Sequence, residues 1–215
     1  MDLGLRGKSS LVTGGSDGLG RAIATTLASE GARVAIVARG AERLESVAAA
    51  LRATGGDVVA IPGDVSKAAD CEHIIKTVVD RFGRIDILIN NAGTSMARSF
   101  ESVDDAVWQA DLDLKLFAAI RLIRAAVPHM KSSGGGRIIN MLNIGAKAPA
   151  GSSVPTSVSR AAGLALTKAL SKQYAADQIL VNAVLIGVVK AGQHQRRWEA
   201  NGRPGTIDAF TNRWQ

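Results

Sequence analysis

Cysteine is nearly absent from this chain of 215 residues, with Cys71 alone. An internal disulfide and a cysteine-based metal cluster are therefore excluded. Histidine is scarce too, and His73, His129 and His194 show no ligand spacing, so no metal is expected. No segment approaches the ~18 consecutive apolar residues that cross a bilayer, and Met1 to Arg6 carry no apolar signal core. A cytoplasmic protein with no membrane partner is the expectation. Only four Phe and one Tyr are available for base stacking, and Lys and Arg are dispersed among acids. The net charge of +7 thus reads as a basic surface favouring phosphorylated ligands, with no nucleic-acid partner expected.

What the chain does have is a composition 47% hydrophobic, enough for one domain with a sizeable core over residues 1–215. Strand-like runs at Ser10–Val12, Arg33–Ala38, Val58–Ile61, Ile85–Ile89, Arg137–Met141 and Leu180–Val184 alternate with helical patterns. The helices are predicted at Leu19–Glu30, Ala41–Ala53, Lys67–Phe82, Val103–Met130 and Pro155–Tyr174, the fourth with an approximate apolar stripe of Leu112, Leu116, Ile120 and Ile123. Such alternation predicts an α/β fold: a doubly wound parallel sheet in a three-layer α/β/α arrangement.

Between the first strand and the first helix stands Thr13-Gly14-Gly15-Ser16-Asp17-Gly18-Leu19-Gly20. Glycines here allow a tight turn and close approach of a pyrophosphate, while the free N–H groups and positive dipole end of the helix face the anion. An ordinary strand-to-helix turn is the plain alternative.

Further motifs decide between the two. Gly63-Asp64-Val65 follows the third strand and Asn90-Asn91-Ala92-Gly93 the fourth. In this order, with the loop similar to TGxxxGxG, they make the chain resemble the short-chain dehydrogenase/reductase family of the single-domain Rossmann type. The resemblance implies a dinucleotide held by Gly14, Ser16, Asp17, Gly18, Leu19, Gly20, Asp64, Val65, Asn91, Ala92, Gly93 and Gly187. Asp64 is expected near the adenine. Arg39 follows the second strand where a carboxylate would select NAD(H), so NADP(H) is favoured over NAD(H).

Carbonyl reduction also needs a proton donor and a group that polarises the oxygen. In the resembling family an Asn, Ser, Tyr and Lys set does this work. Alignment on Gly136–Asn140 and Ala161–Gly163 puts Lys115, Asn143, Thr156 and Arg160 at those positions, so the whole set is expected to be replaced. Thr156 is a poor acid, but Lys115 could act as one if burial beside Arg160 lowered its pKa. Asn143 could donate to a carbonyl oxygen, and Arg160 could clamp the cofactor ribose. Tyr174, the one tyrosine, lies several turns along the same helix and cannot simply substitute.

Beyond Gly187 the pattern fades, and residues 188–215 are expected to form a substrate lid with Trp198, Phe210 and Trp214 as apolar anchors. The resembling family continues past the position of Gln215 through another helix and an edge strand. A sheet lacking its last edge strand is expected, either in a truncated chain or in a minimal variant. Three functions follow: an oxidoreductase acting on a small carbonyl or alcohol through a divergent site, an inactive NADP(H)-binding or regulatory partner protein, and, least supported by charge, a nucleic-acid module. The resemblance also implies a homo-oligomer, dimer or tetramer.

Overall fold

Strands buried on both faces build the centre of the molecule. In the computed structural model, which describes residues 1–187, 189, 198–200, 202, 205 and 206, β1 (Ser9–Thr13), β2 (Arg33–Ala38), β3 (Val58–Pro62), β4 (Ile87–Asn90), β5 (Gly136–Asn143) and β6 (Ile179–Ile186) form one parallel sheet. Its order is β3-β2-β1-β4-β5-β6. All five β1 residues are buried, as a strand covered on both faces requires.

Alternation along the strands sorts the core into two layers. Val12, Val34, Ile36 and Ile89 pack against α1 (Gly18–Ser29) and α2 (Ala41–Ala53). Leu11, Val37, Leu88 and Ile138 face α3 (Ala68–Phe82) and α5 (Ala118–Ser132), and Leu170 of α6 (Thr156–Gln173) joins that side. Among the described residues no helix is long and apolar enough to cross a membrane.

Two predicted elements differ. Regular pairing in β4 begins at Ile87; just before it the Asp86 carboxylate accepts from the Ser9 N–H (2.9 Å) and pairs with Arg84, while its backbone N–H donates to the Ser9 carbonyl (2.9 Å). The helix predicted over Val103–Met130 is α4 (Asp105–Leu112), a π-helical turn (Asp113–Phe117) and α5 in succession. The wider turn shifts the inward register. Of the predicted stripe only Ile123 is fully buried; Asp111 and Lys115 point inward instead. Most of the predicted lid, Phe210 and Trp214 included, lies outside the described residues, and Trp198 is half-buried.

Candidate functional site

The sheet reverses its winding between β1 and β4, and the loops leaving the carboxyl ends of its strands diverge there to open a crevice. It is a cleft of about 670 Å³. Gly14, Ser16, Asp17, Gly18, Leu19 and Gly20 line it from the glycine loop, with Arg39 and Asp64 from the ends of β2 and β3. Asn91, Ala92 and Gly93 line it beyond β4, Gly187 beyond β6, and Val65 lines it while packing into the core. Asn143, Thr156 and Arg160 complete the wall. Lys115 does not reach it.

The glycine loop is held by a fastening that the motifs alone did not disclose. The Thr13 hydroxyl accepts from the backbone N–H groups of Asn91 and Ala92 (2.9 Å each), and the Asn91 amide donates to the Thr13 carbonyl (2.8 Å). Asn91 thereby ties the end of β4 to the loop. A Cβ on Gly20 would lie 2.1 Å from the Gly14 carbonyl oxygen, so the chain can fold this tightly only with glycine there. Asp17 caps α1 by accepting from the Gly18 N–H (2.8 Å) and pairs with Arg43 (3.0 Å), a cleft-lining cation missed in the sequence. Burial raises the pKa of Asp64, but hydrogen bonds from Ser66 and the charges of Arg39 and Lys67 outweigh it, leaving the carboxyl below its ordinary value.

At the opposite end the polar groups are side chains. The Lys115 side chain is fully buried and pairs with Asp111, one helical turn earlier and equally buried. Asp111 also accepts from the Ser159 hydroxyl at 2.6 Å. Lys115 Nζ donates to Thr156 Oγ1 at 3.0 Å, and the Met96 N–H donates to the same oxygen at 2.9 Å. Burial, helped by the nearby Arg160 charge, pulls the lysine pKa down to about 8 against the upward pull of Asp111. Neither Asp111 nor Ser159 was singled out in the sequence. The spacing of Asp111 to Lys115, four residues on a helix, was the available signal.

Arg160 reaches across the floor of this end. One of its terminal nitrogens donates to the Met141 carbonyl (2.7 Å), and the other lies 2.6 Å from where a Gly93 Cβ would sit. Burial lowers its pKa against the pull of Asp111. Two buried atoms here have no protein partner, Arg160 Nε and Asn143 Oδ1. An orphan donor and an orphan acceptor beside one cleft are what a polar ligand would satisfy. Tyr174 stands away from the site, just past α6, with Lys131 against its ring (5.4 Å).

The comparisons with known proteins agree with this architecture. Residues 8–202 match the family model described as short chain dehydrogenase. The bovine (Bos taurus) dehydrogenase/reductase SDR family member 4 is 36% identical over 206 residues, covering 95% of this chain and 74% of that protein. The crystal structure of L-sorbose reductase from Gluconobacter frateurii, complexed with NADPH and L-sorbose, superposes with a TM-score of 0.92 at 33% identity, over 97% of this chain and 80% of the other. A short chain dehydrogenase from Burkholderia cenocepacia in complex with NADP has a TM-score of 0.83 at 34% identity, covering 88% and 77% of the two chains. The sheet order, the glycine cradle at its switch point and these matches lead to one conclusion: the chain belongs to the short-chain dehydrogenase/reductase family.

Proposed function

We propose that this protein is an NADP(H)-dependent oxidoreductase that interconverts a small carbonyl compound and its alcohol through a divergent active site. One observation carries the reading: a single cleft joins an anion cradle, flanked by Arg39 and Arg43, to a polar corner made by Asn143, Thr156 and Arg160. When bound, the reduced nicotinamide supplies the hydride to the carbonyl carbon.

The chain's own residues do the rest. N–H groups at the start of α1 and the glycine loop receive the pyrophosphate, and Arg39, with Arg43 beside it, receives the 2′-phosphate through paired charge-assisted hydrogen bonds. NADP(H) is preferred because no carboxylate stands at the Arg39 position, and the NADPH and NADP complexes of similar structures support that choice. Arg160 Nε donates to the cofactor ribose hydroxyls, which relieves its orphaned state. Asn143 donates its amide N–H to the substrate oxygen, and its free Oδ1 accepts from a ligand hydroxyl or amide. Lys115, Asn143, Thr156 and Arg160 thus replace the family's usual catalytic set. The protein works as a homo-oligomer, paired through the helices over 104–130 and through α6, on which Val158 is 45% exposed.

The test is to titrate purified protein with NADPH, following fluorescence and melting temperature, and then to follow NADPH oxidation across aldehydes, ketones and quinones. Binding with turnover of at least one carbonyl is expected. Absence of binding sinks the reading. Binding without turnover favours the second reading, a non-catalytic NADP(H)-binding partner protein, which the burial of Lys115 away from the cleft supports. The triple variant Asn143→Ser, Thr156→Tyr, Arg160→Lys separates the two further. Activity confined to that variant means the native corner has no chemistry of its own.

A further inference from the structure

The Thr156 hydroxyl has a constrained hydrogen-bond balance. A hydroxyl carries one donor and two acceptor sites. Both acceptor sites are taken, by the Met96 N–H (2.9 Å) and by Lys115 Nζ (3.0 Å). Its own hydrogen is left to point elsewhere, and the residue lines the cleft. Behind it the Lys115 side chain is fully buried, and of the two groups its ammonium bonds, Asp111 and Thr156, only Thr156 lines the cleft. Asp111 is in turn held by Ser159 from α6. The arrangement is a linear chain: Ser159, Asp111, Lys115, Thr156, cleft.

We propose that Thr156 delivers the proton to the substrate oxygen and that Lys115, held in place by Asp111 and Ser159, resupplies it, so that a buried ammonium works through a threonine. This rests on the reductase reading above. In the reductive direction the carbonyl carbon receives a hydride with its electron pair from NADPH, which is oxidised to NADP⁺ as the carbonyl is reduced. The Thr156 O–H bond breaks and its proton bonds to the carbonyl oxygen. One Lys115 N–H bond breaks and that proton bonds to the Thr156 oxygen, leaving a neutral amine. After the alcohol departs, a solvent proton returns to Lys115 through the same hydroxyl. A threonine alone is too weak an acid near neutrality, but in a concerted transfer the driving force is that of the lysine. Asp111 and Ser159 are positioning residues and never touch substrate. The charged groups that face Lys115 are Asp111 from α4 and Arg160 from α6.

Two measurements test the relay. The first needs no turnover: the Lys115 ammonium is titrated by ¹H–¹⁵N NMR, assigned with Lys115→Arg. It is expected to lose its proton near pH 8 and at lower pH in Thr156→Val, where the charged form has lost an acceptor. Titration of Lys115 in the ordinary lysine range, or at an unchanged pH in Thr156→Val, overturns the relay. The second is the pH profile of NADPH-dependent carbonyl reduction. The rate falls as pH rises through about 8, since the acid must be protonated. Asp111→Asn moves that limb to lower pH, and Thr156→Val lowers kcat about 100-fold at unchanged NADPH affinity, while Thr156→Ser restores most of it. A Thr156→Val enzyme with wild-type kcat overturns the relay and leaves the reductase reading standing. A wild type that binds NADPH, titrates Lys115 near 8 and turns over no carbonyl overturns the reductase reading and the relay's catalytic use together.

Discussion

At the glycine-loop end of the cleft the working atoms belong to the backbone, whereas at the Thr156 end they belong to side chains buried behind the wall. The difference has a physical basis. A phosphate needs a concave row of N–H groups and a dipole, which glycines at a strand-to-helix turn provide. A proton needs an acid whose pKa lies near the working pH, which requires burial and selected neighbours. The first demand is written in consecutive residues. In the relay proposed above, the second falls to Asp111, Lys115, Thr156 and Ser159, which the α4–α5 segment and α6 bring together.

The largest expected effect falls on the side-chain end. Lys115→Met leaves the buried Asp111 carboxylate without its cation and is expected to lose about 3–5 kcal/mol of stability in urea unfolding. Asp111→Leu combined with Lys115→Met should recover most of that loss, because the uncompensated charge is gone. A single variant as stable as wild type would show that Asp111 is not charged in the fold.

At the backbone end, Gly20→Ala drives a Cβ into the Gly14 carbonyl and Asn91. About 3 kcal/mol of destabilisation is expected, with loss of NADPH binding in fluorescence titration. Unimpaired binding would break the contrast, since the cradle would then not depend on its backbone geometry. Arg39→Asp sharpens it. That variant should weaken NADPH by about 1.5–3 kcal/mol and raise the relative affinity for NADH in the same titration. The smallest effect is at Arg43, more than half exposed in its pair with Asp17. Arg43→Gln should change unfolding stability by no more than about 1 kcal/mol.

The cradle was legible for a local reason. Gly14, Ser16 to Gly20, Asp64 and Asn91 to Gly93 each come just after a strand, so placing the strands placed these residues on one crevice. Even there, the Thr13 to Asn91 fastening and the Arg43 pair depend on contacts between distant segments. The corner was legible only in part. Asn143, Thr156 and Arg160 could be placed by alignment, and they line the cleft. Lys115 could also be placed, but its direction could not. The expected stripe runs through Leu112 and Leu116, whereas the residues buried there are Asp111, at the end of α4, and Lys115, inside the π-helical turn at Asp113–Phe117.

By itself, then, the sequence determined the α/β alternation, the parallel sheet, the glycine cradle and the charge at Arg39, because each is set by neighbouring residues and their spacing. Tertiary structure alone decided that Lys115 would be buried on Asp111 and meet Thr156, and that Arg160 Nε and Asn143 Oδ1 would be left without protein partners. The physical reason is that desolvation and hydrogen-bond satisfaction belong to the packed environment of a side chain, which the fold assembles from separate segments: Lys115 and Thr156 meet across a separation of 41 residues.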